Sequence, residues 1–508
     1  MSAAPAPVEV SEAVWDGMYA PPVALPGATI SNLYSINRPL SAVVGSRWSQ
    51  ISQVQYQISN PSLFSRLDES FIALNLSLVD YTNQVNTPFA TTALIAPQFA
   101  CSWARLATLI LGSTTVESSS NLLGRSTYID QMTKQSFAHR IANGGLELTD
   151  ILPPAVIPGA AAVYPPVNSG MISTDIRPVL VTSNETLSVA VTSGAVTGAP
   201  IPPTTATVVT FTAAVNPAFS ESFYARQQLV QGGTRKLTII IPLQKFFSFI
   251  AKDMFPVYGN AIQITFLPSD YRSVIFRAAG INDGDYVVND ATLWLKTIKP
   301  SLSVSQRLTA AAASGAMTDY QFLRRDTIGF QSITGNTFSQ TFQIPASNPQ
   351  ALVWSFTPVD YQLSQQGAAS CSIPPYPVTD GSFPWSTFYI SYNGESIPQV
   401  PLGSVASDWA RAYTYLLDAT NEGDYHGAGN ALTFQQFQQN HCLLVTPVGN
   451  RSVDEAGRGA SQGATVTAQF VTAGNPTGNG YNVLCTYYCV NSVRIKAQAQ
   501  GIEVLNVQ

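Results

Sequence analysis

Few residues in this sequence are of types that do chemistry, and the three histidines and five cysteines are the first to consider. No histidine stands in a metal-binding spacing such as H-x-x-x-H. His441 and Cys442 could approach Cys485 and Cys489, which the four-residue spacing places on one face of a strand, so a zinc or redox site is conceivable. Alternatively these cysteines are small core side chains, which is the usual state of free cysteine. We favour the core, and predict no metal site and no cofactor.

Five acidic residues in glycine-rich turns are the next candidates: Asp380, Glu422, Asp424, Asp454 and Glu455. A calcium site or a glycosidase carboxylate pair would require several of them to converge in space. As turn formers and solvated loop charges they need no further role, and we favour that interpretation. The segment GNPTGNG lacks the Lys-Ser/Thr of a phosphate-binding loop, and no Ser-His-Asp or Cys-His grouping is evident. The sequence therefore predicts no enzymatic activity.

Aromatic and basic residues could instead bind glycans or nucleic acid. Trp354, Trp385 and Trp409 lie within or beside apolar strand or helix patterns, which favours core packing. Arg324 and Arg325 form an isolated basic pair, and salt bridges between subunits explain it as well as phosphate contacts do. Neither group of residues by itself predicts a binding site.

Composition indicates the class of fold. The chain has 508 residues, which predicts two or more domains, and only 11% of them are charged, against roughly 25% in an average soluble domain. Long surface helices need dense Glu/Lys/Arg pairs, which such a chain cannot supply. The 34 glycines and 34 prolines suit short strands joined by turns. We therefore predict an all-β protein.

Charge and the N-terminal segment restrict the possible partners. The net charge is −5, and the segment MSAAPAPVEVSEAVWDGMYAPP contains no Lys or Arg. This segment is therefore not a basic arm that binds phosphates, and we predict no sequence-specific nucleic-acid binding. The same segment lacks a signal-peptide pattern, which favours an intracellular origin. No apolar run is long enough for a membrane span.

Alternating apolar residues predict strands at several places, for example at residues 54–58, 72–78, 262–266, 338–344 and 464–470. Two short helices are predicted at residues 243–254 and 407–418. Residues 151–220 are dense in Pro, Ala, Val and Thr, and we interpret them as a long loop insertion at one end of a sandwich.

An internal repeat suggests that one module is used twice. Residues 56–81 read YQISNPSLFSRLDESFIALNLSLVDY, and residues 342–361 read FQIPASNPQALVWSFTPVDY. Both contain an aromatic–Gln–Ile start, Ser-Asn-Pro, an apolar strand and Val-Asp-Tyr. We predict two β-sandwiches with a boundary near residues 295–303.

Residues 232–266, GGTRKLTIIIPLQKFFSFIAKDMFPVYGNAIQITF, resemble the first jelly roll of double jelly-roll major capsid proteins. This group is found in virophages, Polinton-like viruses, large algal DNA viruses and adenovirus-like phages. The segments VQYQISN, SFIALNLSLVD, QTFQIPASNPQALVWSFTP, ALTFQQFQQNHCLLVTPV and GYNVLCTYYCVNSVRIKA are similar in the same order. The resemblance covers about residues 47–497.

The resemblance implies two eight-stranded jelly rolls, 43–298 and 299–508, with short helical insertions, and an extended N-terminal arm, 1–42. It implies a homotrimer with a pseudo-hexagonal outline that tiles an icosahedral shell, with 151–220 as the candidate tower loop. Neighbouring capsomers and minor capsid or penton proteins are the implied partners, together with an internal membrane that the arm could contact. The implied location is the virion, assembled inside the host cell.

Two other classes of function remain as alternatives. A two-domain β-sandwich that binds a receptor or glycan, as in a spike or adhesin, predicts a secretion signal, a disulfide or a calcium cluster. A carbohydrate-active enzyme on a jelly-roll scaffold predicts convergent carboxylates. Jelly rolls host all three classes, so the duplication and the ordered resemblance, and not the fold alone, favour the capsid protein.

Overall fold

The fold comes from a computed structural model of the chain. The residues that it describes are 29–59, 64–80, 93–95, 100, 103–134, 236–250, 257–258, 261–269, 275–277, 284–315, 317–333, 337–345, 349–358, 385–392, 395–403, 407–419, 434, 437, 443–448, 463–470, 481–498 and 501–507. No helix among these residues is long and apolar enough to cross a membrane.

The first half of the chain forms a two-sheet sandwich. Its strands are β1 (Thr29–Asn37), β2 (Val54–Ser59), β3 (Phe64–Asp80), β4 (Ala93–Ile95), β5 (Ala104–Leu111), β6 (Thr114–Ser118), β7 (Leu237–Pro242), β8 (Val257–Tyr258), β9 (Ala261–Pro268), β10 (Ile275–Arg277) and β11 (Gly284–Pro300). Helix α1 (Leu123–Lys134) follows β6, and 3-10 turns occupy Trp48–Gln50 and Leu243–Lys245. The sheets have the orders β1–β11–β3–β7 and β2–β9–β5–β6, while β8 adds to β3 and β4 pairs with β10.

The second half forms another sandwich after helix α2 (Leu302–Ser314). Its strands are β12 (Met317–Ile333), β13 (Thr337–Gln343), β14 (Pro349–Pro358), β15 (Trp385–Tyr392), β16 (Glu395–Leu402), β17 (Leu444–Pro447), β18 (Gly463–Phe470), β19 (Tyr481–Gln498) and β20 (Gly501–Val507). Helix α3 (Asp408–Ala419) lies between β16 and β17. The sheets have the orders β12–β19–β14–β17 and β13–β18–β15–β16, and β20 pairs with β19.

The two sandwiches have the same strand order. When the eight principal strands of each are numbered along the chain, one sheet reads 1–8–3–6 and the other 2–7–4–5 in both halves. Eight strands in two facing antiparallel sheets with this order form a jelly roll. We call the two sandwiches roll 1 and roll 2. The predicted all-β class with two consecutive jelly rolls is confirmed.

Alternation produces a buried face on each strand, and aromatic rings fill the space between the sheets. In roll 1 the centroids of Trp103 and Phe266 lie 4.9 Å apart. In roll 2 the rings of Trp354 and Phe342 lie 5.1 Å apart, and Trp385 lies 5.3 Å from Phe356. Trp354, Trp385 and Trp409 are all buried, as predicted for core residues.

The sequence repeat falls on equivalent strands. Residues 56–58 lie on β2 and residues 342–343 on β13, the second strand of each roll. Each is followed by the third strand, β3 or β14. The described residues of the repeat therefore lie on equivalent strands of the two rolls.

The predicted helix at residues 407–418 is confirmed as α3, but the one at 243–254 is wrong where the structure describes it. Only the 3-10 turn Leu243–Lys245 forms, followed by an irregular segment up to Ile250. The backbone N–H groups of Ser248 and Phe249 donate to the carboxylate of Glu117 at 3.0 and 2.8 Å instead of to helix carbonyls. A side chain distant in sequence therefore replaces the helical hydrogen bonds.

Strand β1 corrects the predicted arm. Its residues Thr29–Asn37 pair with β11, so the part of segment 1–42 that the structure describes belongs largely to a sheet of roll 1. The predicted insertion 151–220 lies outside the described residues. Helices α1 and α2 were not predicted, because the hydrophobic periodicity of both segments is weak.

Candidate functional site: the junction between the rolls

Roll 1 and roll 2 meet at an interface that we call the junction. It consists of the N-terminal part of β12 and its partner β19 from roll 2, and of the end of β6, helix α1 and residues 243–250 from roll 1. Phe322, Val493 and Ile495 of roll 2 are buried in the core of roll 1, and Tyr128 and Ile129 of α1 in the core of roll 2. Each core thus includes side chains of the other roll.

An aromatic contact forms the apolar part of the junction. The ring of Phe249 packs edge-to-face against Tyr320 and Phe322, with centroid distances of 5.4 Å to each. The Tyr320 hydroxyl donates to the Phe249 carbonyl at 3.2 Å. Edge-to-face aromatic pairs stabilise a contact beyond the effect of area burial alone. This contact fixes residues 243–250 against the ends of β12 and β19.

A buried ion pair forms the polar part. The Arg325 guanidinium donates to the Asp130 carboxylate of α1 and to the Lys245 carbonyl. The Arg325 backbone N–H donates to Ser248 Oγ at 3.1 Å. The side chains of Arg325 and Asp130 are only 7% and 19% exposed, so neither charge is well solvated without the other. The pair therefore couples β12 to α1.

Asp326 supplies a second polar connection. Its carboxylate accepts the Ser120 N–H of roll 1 at 3.1 Å and the Thr327 N–H of its own strand at 2.8 Å. Arg324 Nη2 donates to the Ser118 carbonyl at 3.0 Å. The pair Arg324–Arg325, for which salt bridges between subunits or phosphate contacts were considered, thus makes contacts between the two rolls of one chain.

Glu117 lies completely inside the junction. It is 4% exposed, and burial raises the pKa of its carboxyl group, while the N–H groups of Phe249 and Ser248 and the charges of Arg325 and Arg324 oppose that rise. Burial is the dominant cause. A charged Glu117 therefore costs stability, even with two N–H donors.

Glu117→Gln tests this cost. Because the pKa of Glu117 is raised, the folded chain binds its proton more tightly than the unfolded chain does. The contribution of Glu117 to wild-type stability should fall as pH rises from the usual glutamate pKa of about 4.3 through the folded-state pKa. The total loss is about 1.4 kcal/mol for each unit by which the folded-state pKa exceeds the usual value. The variant lacks this dependence, so the free energy of unfolding of wild type minus that of the variant should decrease in urea titrations from pH 4 to 8.

Asp319→Asn is the control with the opposite sign. A hydrogen bond from Arg494 at 2.7 Å lowers the pKa of the Asp319 carboxyl. The stability that Asp319 contributes is therefore present at neutral pH and is lost as pH falls. A pH-independent difference between wild type and Glu117→Gln would contradict the raised pKa of Glu117.

The structure places two of the predicted cysteine candidates in the core of roll 2, where Cys489 pairs across the strands with Arg324 of the junction. Cys485 and Cys489 lie on β19 and are buried. Four residues along a strand separate them by about 13 Å, too far for two sulfurs to bind one zinc ion at about 2.3 Å each. Burial raises the pKa of Cys489 to about 12 and that of Cys485 as well, so both stay thiols. The hypothesis that Cys485 and Cys489 bind one zinc ion is therefore wrong. The other two candidates, His441 and Cys442, lie outside the described residues.

The other chemical candidates are not assembled into a site in the described part of the chain. Asp380, Glu422, Asp424, Asp454 and Glu455 all lie outside it. Within it, no three His, Cys, Asp or Glu side chains are grouped as metal ligands would be.

Sequence reasoning missed the residues that form the junction. Glu117, Asp130 and Asp326 have no motif around them, and their partners lie 131, 195 and 206 positions away. The one available signal was a charged residue inside an otherwise apolar or hydroxyl-rich strand, as at TTVES and FLRRD. In a chain with so few charges, such residues need a buried partner.

Two jelly rolls of identical strand order, joined by one interface, define the double jelly-roll class of fold. The chain is similar to a chain of the Sputnik virophage structure determined by cryo-EM, with a TM-score of 0.54, 11% identity, and coverage of 94% of this chain and 89% of that one. It is also similar to the Faustovirus major capsid protein, with a TM-score of 0.51, 10% identity and coverage of 92% and 91%. No protein-family model and no curated protein sequence matches the chain. The double jelly-roll fold implied by the sequence resemblance is therefore confirmed.

Proposed function

We propose that this chain is the major capsid protein of an icosahedral DNA virus, and that three copies form a pseudo-hexagonal capsomer. The observation that carries the proposal is the repetition of one jelly roll within a chain, with the two copies joined through the junction. Two similar rolls in each of three chains supply six similar units, and such an outline can tile a flat facet. The likeness to the Faustovirus major capsid protein supports the proposal.

The low charge of the chain suits a protein with many contacts. Only 11% of residues are charged, and desolvating neutral polar groups at an interface costs less than burying unpaired charges. We propose neighbouring capsomers and minor capsid or penton proteins as further partners, with the N-terminal segment before Thr29 contacting them or an internal membrane. The location that follows is the virion shell.

We further propose that the chain has two domains, one per roll, that it has no catalytic role and that it needs no cofactor. Cys485 and Cys489 are packed in a core, and the charged groups of the junction are paired with one another. The arrangement of these charged groups holds the two domains together. The domain boundary lies between Pro300, at the end of β11, and Met317, at the start of β12.

The solution mass of the purified chain tests the capsomer. A chain of 54.4 kDa should elute from size exclusion with light scattering as a trimer of three times that mass, about 163 kDa, that resists dilution. Electron microscopy of the trimer should show a pseudo-hexagonal outline. A stable monomer would count against the capsomer and favour the receptor- or glycan-binding alternative.

A further inference from the structure

Each roll carries, among the described residues, a counterpart of the surface that the other roll uses in the junction. Inside the chain, the first strand of roll 2, β12, docks by its edge against roll 1. The receiving surface of roll 1 consists of the fifth strand β6, the helix α1 that follows it, and the segment after the sixth strand β7. Since both rolls have the same strand order, the equivalent docking edge of roll 1 is β1, and the equivalent receiving surface of roll 2 lies at β16, α3 and the C-terminal end of the sixth strand β17.

Strand β1 is an edge strand with exposed apolar side chains. Among the described residues it pairs with β11 alone, so one edge of its backbone carries no strand partner there. Leu33 is 64% exposed and Ile36 is 58% exposed, and they point to opposite faces of the strand. Its sequence, TISNLYSIN, contains no proline and no charge. Natural edge strands usually carry proline or charged residues, which prevent pairing with another strand. Because β1 has neither, it has the character of a strand that is covered in an assembly.

The equivalent surface of roll 2 is a groove of about 300 Å³ between β16, α3 and β17. Val400 on its wall is 54% exposed, and Tyr415, Val445 and Pro447 contribute further apolar surface. Thr446 also lines the groove, and its side chain is buried.

The chemistry of the groove matches β1. Its guanidinium, Arg411, is already paired with Asp408 and donates to the Val400 carbonyl at 2.7 Å, so the groove offers little unpaired charge. An uncharged strand with apolar side chains on both faces fits such a surface, whereas a charged partner does not. Prolines 398, 401 and 447 interrupt the edges of β16 and β17, so contact by side chains is expected and not a continuous ladder.

We propose that β1 of one copy docks into the groove between β16, α3 and β17 of a second copy. This inference rests on the proposed capsomer and specifies its subunit contact. The contact is head to tail, because two different surfaces meet, and such contacts close into a ring when the rotation permits. Three chains then contain six similar contacts between rolls, three within chains and three between them.

Charge placed on either surface tests the proposal. Ile36→Glu on β1 and Val400→Glu in the groove should each convert the species of about 163 kDa into the 54.4 kDa monomer at the same concentration. Leu302→Glu is the matched control, because Leu302 is an apolar residue 71% exposed that lies on α2, outside both surfaces and outside the junction. The control should remain a trimer, and circular dichroism should show all three variants folded.

Hydrogen exchange provides a readout that does not depend on altering β1. Residues 29–37 are unchanged in Val400→Glu, so their amides should exchange at least tenfold more slowly in the wild-type trimer than in that monomeric variant. A wild-type trimer whose mass is unaffected by Ile36→Glu and Val400→Glu, or whose β1 exchange equals that of the variant, overturns this contact and leaves the capsomer intact. A monomeric wild type overturns the proposed function itself.

Discussion

Replacing Arg325 by alanine should lower the free energy of unfolding by about 3–5 kcal/mol, because it leaves a buried charge without its partner. Asp130 is 19% exposed, and the Lys245 carbonyl also loses its donor. The effect should be concentrated at the junction, since Arg325 contacts α1 and residues 245–248 of roll 1. The rolls should therefore lose coupling, and urea unfolding followed by tryptophan fluorescence should separate into two transitions.

Two comparisons make the result specific. Asp319 lies on β12, as Arg325 does, and forms an exposed ion pair with Arg494 of β19. Asp319→Ala removes this pair and should lower the free energy of unfolding far less than Arg325→Ala, because both side chains are about half exposed. The double variant Arg325→Met, Asp130→Leu replaces both charges with apolar groups and should recover much of the loss. Protein concentration must be the same throughout, because assembly adds to the measured stability. Equal effects of Arg325→Ala and Asp319→Ala would contradict the role of the junction.

Gly403→Ala should destabilise roll 2 by about 2–5 kcal/mol, combining backbone strain and overpacking. Gly403 follows β16, and its φ of +101° is rarely adopted by residues with a side chain. A Cβ atom there would lie 2.5 Å from the Trp385 carbonyl oxygen and 2.5 Å from the Ser386 carbonyl carbon. These are backbone atoms of β15 that cannot move aside without disturbing the sheet. Its N–H also donates to Asp408 Oδ2 at 2.6 Å, which ties the turn to the start of α3.

Gly45→Ala separates the two contributions. Gly45 has a φ of +81°, but nothing lies within 4 Å of the position of an added Cβ. Its substitution should cost only the backbone strain, about 1–2 kcal/mol. Guanidinium unfolding of both variants measures the difference, and similar losses for the two would show that the close approach at Gly403 relaxes freely.

Several features of this fold follow from short-range patterns. Alternation at residues such as Ile262, Ile264 and Phe266 predicts strands with one buried face, and the structure buries all three. Helix α3 is also predictable, because Trp409 and Leu416 lie on one side of a segment that begins with capping residues. The duplicated segments predict two modules, because equivalent strands of two similar rolls meet similar neighbours.

The junction could not be derived in that way. Glu117 accepts N–H groups 131 and 132 residues away, and that contact turns a segment with helical spacing into an irregular turn. The first-strand role of β1 likewise depends on pairing with β11, more than 250 residues later.

The sequence by itself determined the all-β class, the positions of the strands with clear alternation, the duplication and the apolar character of the core. These features depend on the spacing of apolar residues along a short segment. Only the tertiary structure decided the strand order, the irregular turn at residues 243–250 and the buried polar contacts of the junction. Each of these depends on which distant groups share a desolvated space, where an unpaired donor or charge is costly, and no local pattern records that choice.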